Sequence, residues 1–537
     1  MSTRSPLLLA ALAALAAPAA AQTPTASADP ELVQRYQQTI TPSELAGYLY
    51  VYADDYLAGR ETGEPGQRFA ARYLAGAYQA MGVMPKGSGS GTSPYNLDGY
   101  LQPFNLEQKV LRSLTAVATR DGETILESTI RDGDTAGAVL VPAYGAVDDA
   151  TPAPVVFVGH ADEGDLAPLP LEGAYALMLP GTPENPSDRG ATIDHVGVLG
   201  LRGVRGVLLV SAPTSAALAE SAAGAFRGGR LALPAPGGAE PDADDLPPIL
   251  STSPETADLL LAGVGRTIES GDDSPVETGV MLSVTADVET REVETENVVA
   301  VVEGSDPVLK DEYVIISAHL DHVGVRDAAE GEDTIFNGAD DDGSGTVTLL
   351  EIAEAFEKAK EDGHGPRRSV LFLHVTGEEK GLLGSEYFAD RDPLVPIENV
   401  AANLNIDMIG RHDPERGFDT TDYVYVIGAD LISQDIADWN AAVNESTGTG
   451  IFLSDKFNSP DDPNQFFRRS DHWNFGKYDV PFIFYFTGTH EDYHGVGDSA
   501  DKIDYDRMAQ IGRLVFGTAW EIANADDRPR VSGVGFN

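Results

Sequence analysis

Residues 369–380 read SVLFLHVTGEEK, an apolar run closed by a glycine and two adjacent acids. A short run without polar alternation predicts a strand buried on both faces, as strands of parallel sheets are. The carboxyl ends of such strands are where open α/β sheets bind ligands. Glu378 and Glu379 stand at that end. The stretch decides the fold of the second half of the chain, because the same design recurs on either side of it.

Upstream, YVIISAH (313–319) is a second apolar run and ends on His319. Downstream, NVAANLNID (399–407) ends on Asp407, and VPFIFYFTGTHEDYH (480–494) leads into His494. Strands are also expected in NVVAVVEG (297–304) and YVYVIGA (423–429). Between them, DDGSGTVTLLEIAEAFEKAK (341–360) sets Leu349, Ile352 and Phe356 on one helical face. Further helices are expected through 382–390, 432–443 and 507–523. Such alternation predicts an α/β fold, a mostly parallel mixed sheet covered by helices on both faces.

The first half differs. Glu44 to Tyr56 and Gln67 to Met81 have helical spacing, with GRETGEPG (59–66) read as a turn between them. From about 128 to 288, short strands (Gly137 to Pro142, Pro154 to Val158, Ala174 to Leu179, Gly206 to Val210) alternate with Gly- and Pro-rich linkers. This predicts a small β-rich accessory domain. Ala222 to Pro248 has loop composition, and His160 and His195 are isolated there.

At 537 residues the chain is too long for one core. Its net charge of −49 repels phosphate backbones, so nucleic acid is excluded as a partner. There are no cysteines, hence no disulfide and no thiol nucleophile. The N-terminus has Arg4, an apolar stretch from Leu7 to Ala17, and small residues through Ala21, the layout of a secretory leader cleaved before Gln22. That stretch is short and Ala-rich for a bilayer span, so a soluble, exported protein, periplasmic or extracellular, is expected rather than an integral membrane one.

His319, Asp341, Glu379, Asp407 and His494 supply two imidazoles and three carboxylates, with no sulfur, a donor set that suits zinc first and then cobalt or manganese. One bridging acid, plus one further acid and one His for each ion, closes a two-metal site with ions about 3.5–4 Å apart. Of the neighbouring acids Glu378 and Glu379, one can ligate while the other takes a proton from water and passes it to a leaving amine. Asp321 is expected to accept the second ring N–H of His319 and orient it. His322 is expected to point away.

AHLDHVG, GADDDGSG, TGEEKGLLGS, NIDMIGR, RRSDHWNF and YHGVGDSADKID together resemble zinc aminopeptidases of peptidase family M28 (clan MH) with an inserted protease-associated (PA) domain. The resemblance implies a zinc exopeptidase of phosphorylase/hydrolase-like fold, with residues 30–127 and 289–527 forming the peptidase domain, 128–288 the insert and 1–21 the leader. It implies two Zn2+, one on His319 and Asp407, the other on Glu379 and His494, with Asp341 bridging. Glu378 would be the general base, and Tyr493 would donate to the developing oxyanion. Ser470-Asp471-His472 would support the site. The implied activity is hydrolysis of N-terminal peptide bonds in peptide substrates by a metal-bridging water. Alternatives are a carboxypeptidase of the same family, for which Arg411, Arg468 or Arg469 could bind a carboxylate, a one-zinc glutaminyl cyclase-like acyltransferase, and an inactive receptor-like homologue.

Overall fold

The structure is a computed structural model describing residues 29–90, 96–144, 148–227, 229–234, 246–326, 331–459 and 462–533. The leader expected at 1–21 and residues 235–245 of the expected loop lie outside these. The chain divides into two compact units, one of Met1–Gln102 with Glu296–Asn537 and one of Pro103–Thr295. The divisions fall at 102 and 295, not at the expected 127 and 288. The difference arises because the strands Leu101–Arg120 and Val276–Val302 are long and mainly belong to the second unit, where their alternating burial was not separated from the flanking sequence.

In the first unit the sheet strands are β1 (Val276–Val302, of which only the end lies in this unit), β2 (Tyr313–His319), β3 (Ser369–Val375), β4 (Val400–Ile406), β5 (Tyr423–Ile427), β6 (Phe452–Ser454) and β7 (Phe482–Phe486). Their order is β6-β5-β7-β4-β2-β3-β1. The central pairs β3/β2, β2/β4 and β4/β7 are parallel, while β1 and β5 add antiparallel neighbours. The central runs are buried throughout, as their uniform apolarity requires.

Successive side chains point to opposite faces. Val314, Ile316 and Ala318 join a core with helices α1 (Pro30–Gln37), α2 (Pro42–Tyr52), α3 (Pro65–Met81), α4 (Gly345–Glu361), α5 (Gln434–Ser446) and α6 (Tyr505–Asn524). Ile315, Leu371 and Leu373 face Phe388, Val395 and Phe475 on shorter segments. Both faces are covered, one by long helices and the other by short helical segments such as Tyr387–Arg391 and Trp473–Gly476. Within the helical core the rings of Phe356 and Phe516 lie 4.6 Å apart and those of Phe516 and Trp520 5.6 Å apart, within the range in which aromatic pairs add to simple burial.

The second unit carries parallel pairing of Asp148–Gly159, Tyr175–Met178, Gly206–Val210 and Ile249–Thr252, with Val141–Tyr144 antiparallel at the edge. It also has helices Arg189–Leu201, Ser215–Arg227 and Pro254–Leu261, so it is an α/β unit rather than simply β-rich. Ala and Gly are abundant in these helices, which blurs their apolar stripe. Ser215–Arg227 takes in the start of the stretch expected to be loop. No helix among the described residues is long and apolar enough to cross a membrane.

One buried acid governs how α2 docks. Thr41 caps α2 by accepting the Glu44 N–H at 3.3 Å. The Thr41 N–H itself donates to Oε2 of Glu351, on α4, at 3.2 Å. Glu351 is 1% exposed, and burial, with the charges of Glu44 and Glu354, pushes its carboxyl up to about 8. A raised acid stabilises the fold below its ordinary value near 4.5, and that contribution is lost as pH rises through about 8. Glu351→Gln keeps the acceptor and removes the titration. Unfolding free energies from denaturant titrations at pH 5 and pH 8 should diverge in favour of the variant at the higher pH, by about 1.4 kcal/mol per pH unit at most. A gap between the two proteins that does not change with pH would refute the assignment.

Candidate metal centre

The parallel register delivers the site. His319 pairs with Val375, Ser317 with Asn405, and Ile406 with Tyr485. The ends of β2, β3, β4 and β7 therefore lie side by side, and His319, Glu378–Glu379, Asp407 and the loop to His494 leave from one edge. The acidic turn 338–344 enters the same edge just ahead of α4.

All five expected ligands meet there. His319 Nε2 lies 3.2 Å from Asp341 Oδ1 and 3.7 Å from Asp407 Oδ1. His494 Nε2 lies 3.1 Å from both Asp341 Oδ2 and Glu379 Oε2. Asp341 thus belongs to two acid–imidazole sets, one through each oxygen. His319, Asp341 and Asp407 form one group whose donor atoms lie within 4.8 Å of one another; His322, Asp341 and Glu379 form another.

His322 corrects the sequence reading. It does not point away: its Nδ1 lies 2.8 Å from Glu379 Oε1 and 3.8 Å from Asp341 Oδ2. Strand alternation does not extend past His319, because β2 ends there and His322 lies in an isolated bridge to Glu61. The run of two histidines within four residues, HLDH, was the available signal. Gly338 makes room for the ring: at φ +56°, its Cβ would lie 2.5 Å from His322 Cγ and 2.3 Å from the Asp341 carbonyl oxygen.

Asp321 is also corrected. The Nδ1 of His319 lies 3.1 Å from the Asp321 carbonyl oxygen, while the nearer carboxylate oxygen is 3.8 Å away. That carboxylate accepts the Thr62 hydroxyl at 2.7 Å and the Glu378 N–H at 3.2 Å. It therefore orients the backbone of Glu378, while the ring is held by backbone.

The acids flanking Asp341 are anchors. Asp342 accepts the N–H groups of His319 at 3.1 Å, Gly345 at 2.9 Å and Met408 at 3.2 Å, tying together the segments that carry two expected ligands. Asp340 accepts the Gly410 N–H at 2.6 Å and lies 3.2 Å from His490 Nε2. Asp498, from the GVGDS segment, accepts the N–H groups of Asp340 at 2.9 Å and Asp341 at 3.1 Å. Ser470 donates to Asp407 Oδ2 at 2.8 Å, the supporting duty expected of its motif. Asp471 accepts from Ser385 at 2.5 Å, and His472 contacts the Phe467 carbonyl at 2.9 Å.

So many acids in a buried pocket oppose one another. Burial pushes the Glu378 carboxyl well up, and the charges of Glu379, Asp407 and Asp471 act in the same direction. Against burial and the Asp341 charge, His322 and His494 hold Glu379 down at about 2. Against burial, Asp341 and Glu379 hold His494 up at about 10. The buried His319 Nε2, Asp341 Oδ2 and Glu379 Oε1 have no well-formed hydrogen bond. They point toward shared centres instead. Imidazole and carboxylate donors so arranged fit divalent zinc.

Beside the centre lies a cleft of about 360 Å³, with Met408, Phe466, Phe484 and Phe486 on its apolar wall. Glu378, Asp341, Asp407 and His494 line it from the centre's side. Tyr493 lines it too, its ring stacked on His494 at 4.0 Å. Burial, then the Asp341 charge, pushes the Tyr493 phenol up, so it remains a donor at neutral pH. Arg469 also lines the cleft, over the Phe466 ring at 4.9 Å. Arg411 is engaged by Glu491 and Asp492, and Arg468 stacks on Phe467 and Trp473.

Residues 297–519 match peptidase family M28. Over 161 residues the chain is 33% identical to a probable glutamate carboxypeptidase of Arabidopsis thaliana, covering 30% of this chain and 22% of the relative. It is 27% identical to a probable zinc metalloprotease of Pyrenophora teres, with 36% and 45% covered. To an aminopeptidase of Bacillus subtilis it is 24% identical, with 41% and 43% covered. The match thus spans less than half the length of each of these curated relatives. An aminopeptidase structure from Aneurinibacillus sp. strain AM-1 shares the fold with TM-score 0.55 and 17% identity, over 95% of this chain and 99% of that one. The motifs gathered at one sheet edge lie within or beside residues 297–519, the segment that matches peptidase family M28.

Proposed function

We propose that the chain is an exported zinc aminopeptidase with a dinuclear centre, hydrolysing the first peptide bond of peptide substrates. The observation that carries this reading is Asp341, whose two oxygens lie 3.2 Å and 3.1 Å from the imidazoles of His319 and His494. A carboxylate shared in this way bridges two ions, each of which also has its own acid and histidine. His319 with Asp407 would hold one, and His494 with Glu379 the other. His322, whose Nδ1 lies 2.8 Å from the second oxygen of Glu379, would orient that carboxylate.

When bound, two zinc ions supply Lewis acidity, polarising the scissile carbonyl and bringing the pKa of water toward about 7. Glu378, at the cleft and held through its N–H by Asp321, accepts a proton from water and passes it to the leaving amine. Tyr493 donates to the carbonyl oxygen as negative charge grows there. The wall of Met408, Phe466, Phe484 and Phe486 takes an apolar N-terminal side chain. The leader-like residues 1–21 support export.

Arg469 favours a second reading, a carboxypeptidase, because a guanidinium in the cleft suits a terminal carboxylate.

Elemental analysis of the purified protein should find two equivalents of zinc, and His494→Ala should lower that number; one equivalent in the unmodified protein would favour the cyclase-like alternative. Glu378→Gln should retain zinc and lose about 10²–10⁴-fold in kcat, and an active variant would mean that another group is the base. Leucine amide should be cleaved and an N-acetylated leucyl peptide left intact. Equal cleavage of both would overturn the aminopeptidase reading in favour of the second.

A further inference from the structure

Gly59–Thr62 appears in the sequence only as a turn, yet each of its residues meets the segments that build the centre. A Cβ on Gly59 would lie 2.4 Å from the Gly324 carbonyl oxygen and 2.6 Å from that of Phe336, so the chain passes where only glycine fits. Arg60 is 1% exposed. Its guanidinium donates to the carbonyls of Leu320 at 3.1 Å, Tyr52 at 3.0 Å, Asn337 at 2.6 Å and Gly338 at 2.8 Å. Leu320 follows His319, and Gly338 opens the acidic turn. Arg60 itself sits at φ +50°, a conformation that a non-glycine residue keeps only where its surroundings over-determine it. The carbonyl of Arg60 accepts the His322 N–H at 3.2 Å. Glu61 pairs with Lys380, the residue after Glu379, at 2.8 Å.

Thr62 completes the set and reaches the chemistry. Its hydroxyl donates to Asp321 Oδ2 at 2.7 Å, while Asp321 Oδ1 accepts the Glu378 N–H at 3.2 Å. Thr62 is 3% exposed and Asp321 0%, so no bulk water can replace the hydroxyl. We propose that Thr62 is a positioning residue for Glu378, acting through Asp321, with Gly59 and Arg60 holding it in place; the inference rests on the peptidase reading above.

The physical logic is that a buried carboxylate stays put only while both oxygens are satisfied. Without the Thr62 hydroxyl, Oδ2 is left bare. A donor within reach of the carboxylate is His319 Nδ1, 3.8 Å from Oδ1. Rotation toward it withdraws the acceptor from the Glu378 N–H. The glutamate then loses its backbone anchor, whereas the apolar wall that binds substrate is untouched.

Thr62→Val removes the hydroxyl and keeps the shape. Thr62→Ser keeps the hydroxyl. In the full chain loaded with zinc, with leucine amide as substrate, Thr62→Val should lose on the order of 10- to 100-fold in kcat, the scale of a small misplacement of a catalytic group. KM and zinc content should stay at the unmodified values, a fall in melting temperature from the bared Asp321 oxygen should leave the variant folded at the assay temperature, and Thr62→Ser should recover most of kcat. The proposal is overturned if Thr62→Val turns over normally, if Thr62→Ser is equally impaired, or if the loss follows zinc content or unfolding at the assay temperature. Lack of turnover by the unmodified chain would instead overturn the peptidase reading, and this inference with it.

Discussion

The first unit is organised around a conflict of like charges. Asp340, Asp341, Asp342, Glu378, Glu379 and Asp407 crowd one sheet edge, most of them nearly inaccessible to water. Isolated carboxylates in such a place would be strongly destabilising. The chain answers in two ways. Acids that face inward, Asp340 and Asp342, receive backbone N–H groups from neighbouring segments. Those that face the cleft, Asp341 and Glu379, are matched by imidazoles. The first group converts charge into tertiary structure, because the N–H groups it collects come from the end of β2, the start of α4 and the segment 408–410 after β4. The second leaves charge available for a cation.

How far this was legible depends on the kind of signal. Strand ends were readable because buried parallel strands leave uniform apolar runs, and one rule about their carboxyl ends then gathers residues far apart in sequence. His319, Asp407 and Glu379 follow from it directly. Asp321 and His322 did not, since both lie just past the end of β2, where alternation ceases and direction is set by the turn. The carboxylate of Asp321 looks like a ring-orienting group by its spacing, yet the shorter contact to the ring comes from its own carbonyl oxygen. Spacing alone does not separate side-chain from main-chain acceptors.

The N-terminal segment was the least legible part. Through its guanidinium Arg60 donates to four carbonyl oxygens, which carry no sequence signature, and it lies over the Tyr52 ring at 4.6 Å. A buried arginine bound to main chain therefore reads as an ordinary surface charge in a turn. The same applies to Glu351, whose partner is the N–H of Thr41. The second unit was misjudged for a related reason: small residues dilute the helical stripe, so helices such as Arg189–Leu201 resemble linkers.

The order in which these pieces occur along the chain has a consequence for biosynthesis. The tetrapeptide around Arg60 is made early, whereas His494 arrives only after nearly all of the chain has been extended, with the whole second unit between Gln102 and Glu296 intervening. No nascent fragment ending short of residue 494 holds both acid–imidazole sets. A product terminated before residue 494 would therefore carry the first acid–imidazole set, His319 with Asp341 and Asp407, without the imidazole of the second.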